Sequence, residues 1–159
     1  MNTLTIKELG HVVLYVTSLE RSANFYRDTL GFHEIARDRQ TALFSSGRTH
    51  HELLLIEIDP PSPEDFGRAS GNPKQKSRPE PGLYHIGFKI GNTDEELRTA
   101  IHELETKKVT IVGTADHTVT HSLYILDPDG NELELYVDVS EEWKTDSRAV
   151  LRPTKHLEL

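Results

Sequence analysis

The chain has 159 residues, a length that suits one compact domain with its own core. Its formal net charge of −8 is spread along the sequence, which disfavours nucleic acid and anionic membrane surfaces as partners. The absence of cysteine excludes disulfides, thiolate ligands and a cysteine nucleophile. We expect a cytoplasmic protein, because no apolar run reaches the roughly 20 residues of a membrane span and the N-terminal segment lacks a signal-peptide core.

The first part of the chain predicts a strand, a helix and three more strands. Residues 11–16 are rich in β-branched and aromatic side chains, as strands are. Thr17 and Glu20 have the spacing of a capping box, and Gly31 suits the end of a helix that runs to about Leu30. Three strands are predicted after this helix, over residues 32–36, 40–45 and 52–58.

The composition changes abruptly between Asp59 and Gly82. Hydrophobic periodicity disappears there, and six of the eight prolines of the chain lie in this segment. Prolines at this density prevent regular secondary structure. The sequence therefore predicts a long loop over residues 59–82.

The first pattern then returns. A strand is predicted over residues 83–90, a helix from the cap at residues 92–96 to about Lys107, and strands over residues 109–112, 122–126 and 132–137. The turn between the last two strands is Asp127-Pro128-Asp129-Gly130. The tail, residues 139–159, contains Trp143 and is expected to form a short helix on a neighbouring subunit or a frayed end.

The two parts of the chain align with each other as an internal repeat. His11 falls on His85, and residues 51–56 fall on residues 131–136, with offsets of 74 (85 minus 11) and 80 (134 minus 54). We therefore predict an α+β fold of two tandem βαβββ modules that form one curved mixed sheet around a metal site. The whole chain, 1–159, is predicted to be a single domain, with module one at about 7–58 and module two at about 83–138. A chance likeness between two α+β segments is the alternative.

Three residues in this repeat have the chemistry of a metal site. His11 and His85 occupy the same place in the two modules, and Glu134 lies on the last strand. Two imidazoles and one carboxylate form the facial triad that suits Fe(II), because it leaves three positions open. Taken one at a time, either histidine could be a hydrogen-bonded structural residue, and Glu134 could face solvent beside Glu132.

Several motifs resemble the vicinal oxygen chelate superfamily, which includes glyoxalase I, fosfomycin and bleomycin resistance proteins and extradiol dioxygenases. The resemblance covers about residues 7–138. Its motifs are Gly10-His11, the helix pattern Ser22-x-x-Phe25-Tyr26-x-x-x-Leu30-Gly31-Phe32, and Tyr84-His85-Ile86-Gly87-Phe88.

Residues 117–134 resemble the signature of the extradiol dioxygenases. A histidine, His117, is followed by Leu123-Tyr124, by the Asp127-Pro128-x-Gly130 turn and by Glu134. The resemblance implies that His11, His85 and Glu134 are the iron ligands. It also implies that three catalytic residues surround them: His51, His117 and Tyr124. His50 and His121 are the alternatives to His51 and His117.

The resemblance implies an Fe(II)-dependent extradiol dioxygenase, with Mn(II) as the other candidate metal. Its substrates would be a catechol-type aromatic and dioxygen, and the protein would be a homodimer. Glyoxalase I chemistry is disfavoured, because Leu54 stands where glyoxalase I has a further acidic ligand. A lyase, isomerase or thiol transferase with another divalent metal, and a non-catalytic binding protein, are the remaining alternatives.

Overall fold

The structure is a computed structural model that describes residues 6–59 and 82–159. The predicted long loop lies outside the described residues except at its two ends, Asp59 and Gly82. The chain divides into two compact units, Met1–Arg68 and Ala69–Leu159. Each unit is built on one four-stranded mixed sheet.

The first unit has the predicted order of a strand, a helix and three strands. The strands are β1 (Val12–Val16), β2 (His33–Arg37), β3 (Thr41–Ser45) and β4 (Leu53–Glu57), and the helix is α1 (Leu19–Asn24). The strand order in the sheet is β1-β4-β3-β2. β1 and β4 are parallel, whereas the other two pairs of neighbours are antiparallel.

The cap of α1 differs from the prediction by one residue. Ser18, and not Thr17, is the N-cap, and its hydroxyl accepts from the backbone N–H of Arg21 at 3.4 Å. The backbone N–H of Leu19 donates to a carboxylate oxygen of Glu57 at 2.5 Å, which ties the helix start to β4. The predicted capping box was wrong, because Ser18 caps the helix and the Glu20 carboxylate accepts from Arg37 instead of from the helix start.

A π-helical turn, Phe25–Thr29, continues α1 to the predicted end of the helix. Tyr26 is fully buried in this turn. Gly31 has a φ of +76°, the left-handed conformation that a glycine adopts without strain. The sequence therefore predicted the end of the helix correctly.

The second unit repeats the order of the first. Its strands are β5 (His85–Gly91), β6 (Ile111–Asp116), β7 (Thr120–Leu126) and β8 (Glu132–Asp138), and its helix is α2 (Asp94–Thr106). The strand order is β5-β8-β7-β6, with β5 and β8 parallel. β6 begins two residues later than predicted, because Lys108 has a φ of +58° and turns the chain out of the helix. The α+β class and the tandem βαβββ order are confirmed.

The N-terminus of α2 is a capping box. The Thr93 hydroxyl accepts from the backbone N–H of Glu96 at 3.3 Å, and the Glu96 carboxylate accepts from the backbone N–H of Asn92 at 2.8 Å. A Cβ at Gly91 would lie 2.4 Å from the carboxyl carbon of Glu96. Glycine at this position therefore leaves room for the returning carboxylate.

In each unit the helix covers one face of its sheet, and the apolar core lies between them. In the second unit this face of β8 is Leu133, Leu135 and Val137, all at most 3% exposed, and Leu97 of α2 is fully buried. Strand residues of the other parity, such as Glu134, point away from the helix. Across the described ranges, 6–59 and 82–159, no helix is long and apolar enough to cross a membrane.

The tail of the second unit folds back onto that unit. It forms two short 3-10 helices, Glu142–Lys144 and Ser147–Leu151. After them, Lys155 pairs with Asp116 of β6 through two backbone hydrogen bonds of 3.0 and 2.9 Å. Leu157 is only 8% exposed. The tail is therefore part of the second unit and extends its sheet beside β6.

Candidate metal centre

The strand registers place the proposed ligands at equivalent positions of the two sheets. In the first unit, Val13 of β1 pairs with Leu54 of β4, and in the second, Gly87 of β5 pairs with Glu134 of β8. The alignment of Leu54 with Glu134 therefore agrees with the register. Leu54 cannot bind a metal, so the first unit offers no carboxylate at this position.

The two carboxylate oxygens of Glu134 contact different groups. Oε1 accepts from the Ser122 hydroxyl at 2.6 Å and from the Tyr124 hydroxyl at 3.2 Å. Oε2 lies 3.2 Å from Nε2 of His85. The side chain of Glu134 is 16% exposed. Oε1 is therefore held by neighbours on β7, while Oε2 faces the imidazole.

Gly87 makes space for this pair. A Cβ at Gly87 would lie 3.3 Å from Oε2 of Glu134 and 3.6 Å from the Tyr136 ring. Such a contact is tight enough to displace the carboxylate by a few tenths of an ångström. The glycine therefore leaves room for Oε2 beside β5.

The two ring nitrogens of His85 differ in their surroundings. Its Nδ1 is buried and makes no hydrogen bond within the part of the chain that the structure describes. The nearest acidic oxygen, Oε1 of Glu132, is 4.0 Å away, beyond hydrogen-bond distance. A histidine that binds a metal through Nε2 usually donates Nδ1–H to a carboxylate beside it. Glu132 is the group in place for that role.

The pair of His85 and Glu134 fits a divalent metal ion. Two ligands at right angles, each about 2.1 Å from a metal, are about 3 Å apart, close to the 3.2 Å between Nε2 and Oε2. An imidazole nitrogen and a carboxylate oxygen are also the ligand types that Fe(II) oxygenases use. The second unit therefore supplies two members of the predicted triad in a suitable arrangement.

A hydrogen-bonded chain reaches Glu134 from the tail. Nε2 of His117 lies 2.9 Å from the Tyr124 hydroxyl, and its Nδ1 lies 3.1 Å from the Thr154 hydroxyl. When Tyr124 donates to Glu134, its oxygen accepts from His117 Nε2–H, and Nδ1 accepts from Thr154. Burial, the negative charge of Glu134 and the hydrogen bond to it raise the pKa of the Tyr124 phenol. Tyr124 therefore stays a neutral hydrogen-bond donor.

His121 lies on the opposite face of β7 from Tyr124. Its Nδ1 is 2.6 Å from the Asp94 carboxylate on α2, and its Nε2 is 3.6 Å from Asp116. Of the two candidates for the same role, the structure brings His117 to Glu134 and His121 to the helix side. The spacing to Tyr124 is odd for both histidines, so strand parity in the sequence did not select between them. The turn before β7, in which Thr118 has a φ of +74°, brings His117 to Tyr124.

In the first unit, three histidines lie together. The His11 and His51 ring centroids are 4.6 Å apart, and those of His50 and His51 are 4.5 Å apart. The Nδ1 atoms of His50 and His51 are 2.6 Å apart, so one of the two shares a proton with the other. Burial, together with the charges of His50 and His11, lowers the pKa of His51. The structure thus places both alternatives for the catalytic histidine next to each other, with His51 in ring contact with His11.

The loop that carries these histidines is held by Glu52. Its Oε2 accepts from the Ser46 backbone N–H at 2.6 Å and from the Ser46 hydroxyl at 2.7 Å, and its Oε1 accepts from Arg48 Nε at 3.0 Å. Burial raises the pKa of Glu52, but hydrogen bonds from Ser46, Arg48 and Ser45 outweigh it and lower the pKa from 4.5 to about 2. The ionised carboxylate therefore stabilises the fold.

Replacing Glu52 with Gln should lower the free energy of unfolding by about 2 kcal/mol at neutral pH, because charge-assisted hydrogen bonds are lost. The folded-state pKa lies below the unfolded one, so this stabilisation is complete above about pH 4.5 and disappears as the pH falls towards 2. Urea unfolding across this range measures the difference. The control is Glu95→Gln, whose side chain is 81% exposed. A difference for Glu52→Gln that does not change with pH would contradict the assigned cause.

Sequence reasoning missed three residues of this site. Glu132, named in the sequence analysis only as a neighbour of Glu134, is 7% exposed, and its hydrogen bond to Tyr84 raises the pKa of that phenol. Ser122 and Thr154 were not singled out. The period of two along β7 and β8 could have indicated Ser122 and Glu132, since both share a face with Glu134. No sequence signal indicated Thr154, because its contact depends on the fold of the tail.

The structure brings the predicted residues together within each unit. In the second unit, His85, His117 and Tyr124 surround Glu134, and in the first, His11 and His51 are neighbours. Among residues 6–59 and 82–159, no group of three or more His, Asp or Glu side chains is arranged to hold a metal ion. The assignment of His11 as the third ligand stays a prediction.

The chain matches the model of the Glyoxalase/Bleomycin resistance protein/Dioxygenase superfamily over residues 8–135. The chain belongs to this superfamily. It is the family that the motifs at His11 and His85 predicted, and it is metal-dependent. The family description covers several chemistries, so membership by itself does not select a reaction.

Individual relatives are similar to the chain at modest identity. A catechol-2,3-dioxygenase of Bacillus subtilis is 34% identical over 82% of this chain, and a biphenyl-2,3-diol 1,2-dioxygenase of Rhodococcus globerulus is 28% identical over 82%. The chain spans only 41% and 63% of the lengths of these two proteins. Among solved structures, a glyoxalase/dioxygenase from Nostoc punctiforme superposes with a TM-score of 0.64 at 22% identity. The superposition covers 88% of this chain and 99% of that one, and it shows the shared fold.

Proposed function

We propose that this protein is an Fe(II)-dependent extradiol dioxygenase that cleaves a catechol-type aromatic. The observation that carries the proposal is the contact of Tyr124 with both Glu134 and His117, beside His85. A neutral phenol and an imidazole next to a metal ligand can bind and orient a hydroxylated ring. The two curated relatives described above are named as dioxygenases of catechol and of biphenyl-2,3-diol, which supports the same reaction.

The proposed ligands of Fe(II) are His85, Glu134 and His11, with Mn(II) as the other candidate metal. The bound ion would supply open positions at which a diol and dioxygen meet, and this removes much of the entropic cost of their encounter. Both atoms of dioxygen would enter the ring-opened product. The reaction therefore needs no external reductant.

Tyr124 and His117 would act on the substrate oxygens. The raised pKa of Tyr124 keeps its proton in place. Its hydroxyl, which donates to Glu134 in the structure, would turn to a substrate oxygen bound beside it and favour the deprotonated form of the substrate. His117 accepts from Thr154 at Nδ1 and donates Nε2–H to the Tyr124 oxygen, so its ring orients the Tyr124 hydroxyl. In this proposal both residues orient the ring next to Glu134.

His51 is the proposed acid and base of the first unit. Its lowered pKa means that it is largely neutral near pH 7 and gives up a bound proton readily. It can accept a proton from the catechol and return it to an oxygen atom that derives from dioxygen when the O–O bond breaks. The proton balance would then close within the site, and unsubstituted catechol would give 2-hydroxymuconic semialdehyde, which contains both atoms of dioxygen.

Oxygen uptake tests the proposal. Protein loaded anaerobically with Fe(II) is mixed with catechol and dioxygen, and uptake is compared with the absorbance of a yellow ring-opened product. We expect one dioxygen consumed for each catechol cleaved. Tyr124→Phe should lower turnover by about 10- to 100-fold with unchanged iron content, because it removes only a positioning hydrogen bond.

A negative result would change the proposed reaction but not the superfamily. Protein that binds one metal tightly but consumes no dioxygen with a panel of catechols would not be an extradiol dioxygenase. The lyase, isomerase or thiol transferase alternatives would then be preferred, with another divalent metal. Full activity of Tyr124→Phe would contradict the proposal, because the contacts of Tyr124 with Glu134 and His117 would then have no role in the reaction.

A further inference from the structure

A buried ring nitrogen of His85 lies next to a buried carboxylate on the neighbouring strand. His85 of β5 pairs in register with Glu132 of β8, so the two side chains leave adjacent points of the sheet. Glu132 is only 7% exposed, and its Oε1 lies 4.0 Å from Nδ1 of His85. Within residues 6–59 and 82–159, this nitrogen has no hydrogen-bond partner. The gap between the two groups is therefore slightly too long for a hydrogen bond.

The contact of His85 with Glu134 indicates which ring nitrogen carries the proton. Nε2 of His85 lies 3.2 Å from Oε2 of Glu134, and an ionised carboxylate can only accept hydrogen bonds. A neutral imidazole that donates Nε2–H to this oxygen has a lone pair, and no proton, on Nδ1. Such an Nδ1 cannot donate to Glu132, which explains the 4.0 Å between the two groups.

Metal binding through Nε2 requires the other tautomer of His85. The lone pair that binds the metal is the one on Nε2, so the proton of the neutral ring must then be on Nδ1. This is the nitrogen that lies beside Glu132. Nδ1–H and the carboxylate can then form a charge-assisted hydrogen bond, which also makes Nε2 a stronger electron donor to the metal.

Tyr84 keeps the carboxylate of Glu132 in this position. Its hydroxyl donates to Glu132, and this hydrogen bond is the largest cause of the raised pKa of the phenol. The Tyr84 ring also contacts the His85 ring, with the two centroids 4.6 Å apart. A carboxylate that is nearly excluded from water needs such donors, because burial of an unpaired charge is costly. Tyr84 supplies one donor, and Nδ1–H of His85 would supply a second.

We propose that Tyr84 and Glu132 are positioning residues of the metal site. Tyr84 holds the Glu132 carboxylate, and Glu132 stabilises the tautomer of His85 that binds the metal through Nε2. The inference rests on the proposed function only for the role of His85 as a metal ligand. It does not depend on the reaction that the bound metal serves.

Metal affinity, measured without substrate or dioxygen, tests the proposal. Glu132→Leu removes the acceptor and should lower the affinity for Zn(II), in competition with a chromophoric chelator, by about 10- to 100-fold. Glu132→Gln keeps an oxygen that can accept a hydrogen bond and should lose less affinity. Tyr84→Phe keeps the ring but loses the hydroxyl, and we expect a loss of about 2- to 10-fold. The matched control is Glu103→Leu, because Glu103 is an exposed residue of α2.

A double-mutant cycle separates positioning from a general loss of stability. Tyr84 acts through Glu132, so Tyr84→Phe should have no further effect on the Zn(II) affinity of Glu132→Leu. Additive effects of the two changes would contradict this order of action.

Nitrogen NMR of the imidazole locates the ring proton directly. The chemical shifts of the His85 ring should show the proton on Nε2 before Zn(II) is added and on Nδ1 afterwards. This change, together with weaker binding by Glu132→Leu, would support the proposal even if no catechol is cleaved. A proton that stays on Nε2 in the zinc-bound protein, or native Zn(II) affinity in Glu132→Leu, would overturn the proposal even if cleavage is observed.

Discussion

Alanine in place of His85 or Glu134 should lower the affinity of the protein for Fe(II) by more than about 100-fold. Loss of a group that only supports a metal ligand costs about 10- to 100-fold, and loss of a ligand itself should cost more. Nε2 of His85 and Oε2 of Glu134 are 3.2 Å apart, so each variant leaves only one of these two proposed ligand atoms to bind the metal. Competition with a chromophoric chelator under anaerobic conditions measures the affinity, and the iron content after desalting gives an independent value.

Two exposed residues of α2 are matched controls for these variants. His102→Ala and Glu103→Gln change the same residue types on the solvent side of the helix and should leave iron binding unchanged. Iron affinity that persists in both His85→Ala and Glu134→Ala would contradict the assignment of the two ligands. Loss of binding in the control variants as well would point to unfolding, which circular dichroism would detect.

Alanine in place of His51 should reduce turnover by about 100-fold or more while the iron content stays unchanged. The proposed role of His51 is to move a proton, and its ring lies next to His11 without being a proposed ligand. Single-turnover measurements on the iron-loaded variant would separate slow chemistry from poor loading. Unchanged turnover would remove the assigned role.

The neighbouring variant His50→Ala decides between the two adjacent histidines. His50 is more exposed and contacts His51 through Nδ1 at 2.6 Å, so its loss should reduce turnover less than the loss of His51. A larger defect in His50→Ala than in His51→Ala would transfer the catalytic role to His50. Equal and large defects would indicate that the two imidazoles act as one proton-sharing pair.

Several features of the fold could be predicted from local sequence patterns. Four such features depend on neighbours within a few residues: the cap of α2, the glycine at the end of the first helix, the alternation along β8 and the Asp127–Gly130 turn. The start of α1 could not be placed as well, because Leu19 N–H is bound by Glu57, which is 38 residues away. The burial of Glu132 could not be predicted for the same reason, since it depends on β5 and Tyr84.

The sequence by itself determined the tandem βαβββ order, the equivalence of His11 with His85 and the place of Glu134 on the last strand. These follow from periodicity and from an internal repeat, both of which are local in the chain. Only the tertiary structure decided that His117 rather than His121 reaches Tyr124, and that the tail places Thr154 beside His117. Strand register, turns and long-range backbone pairing position these side chains, and no short window of sequence contains that information.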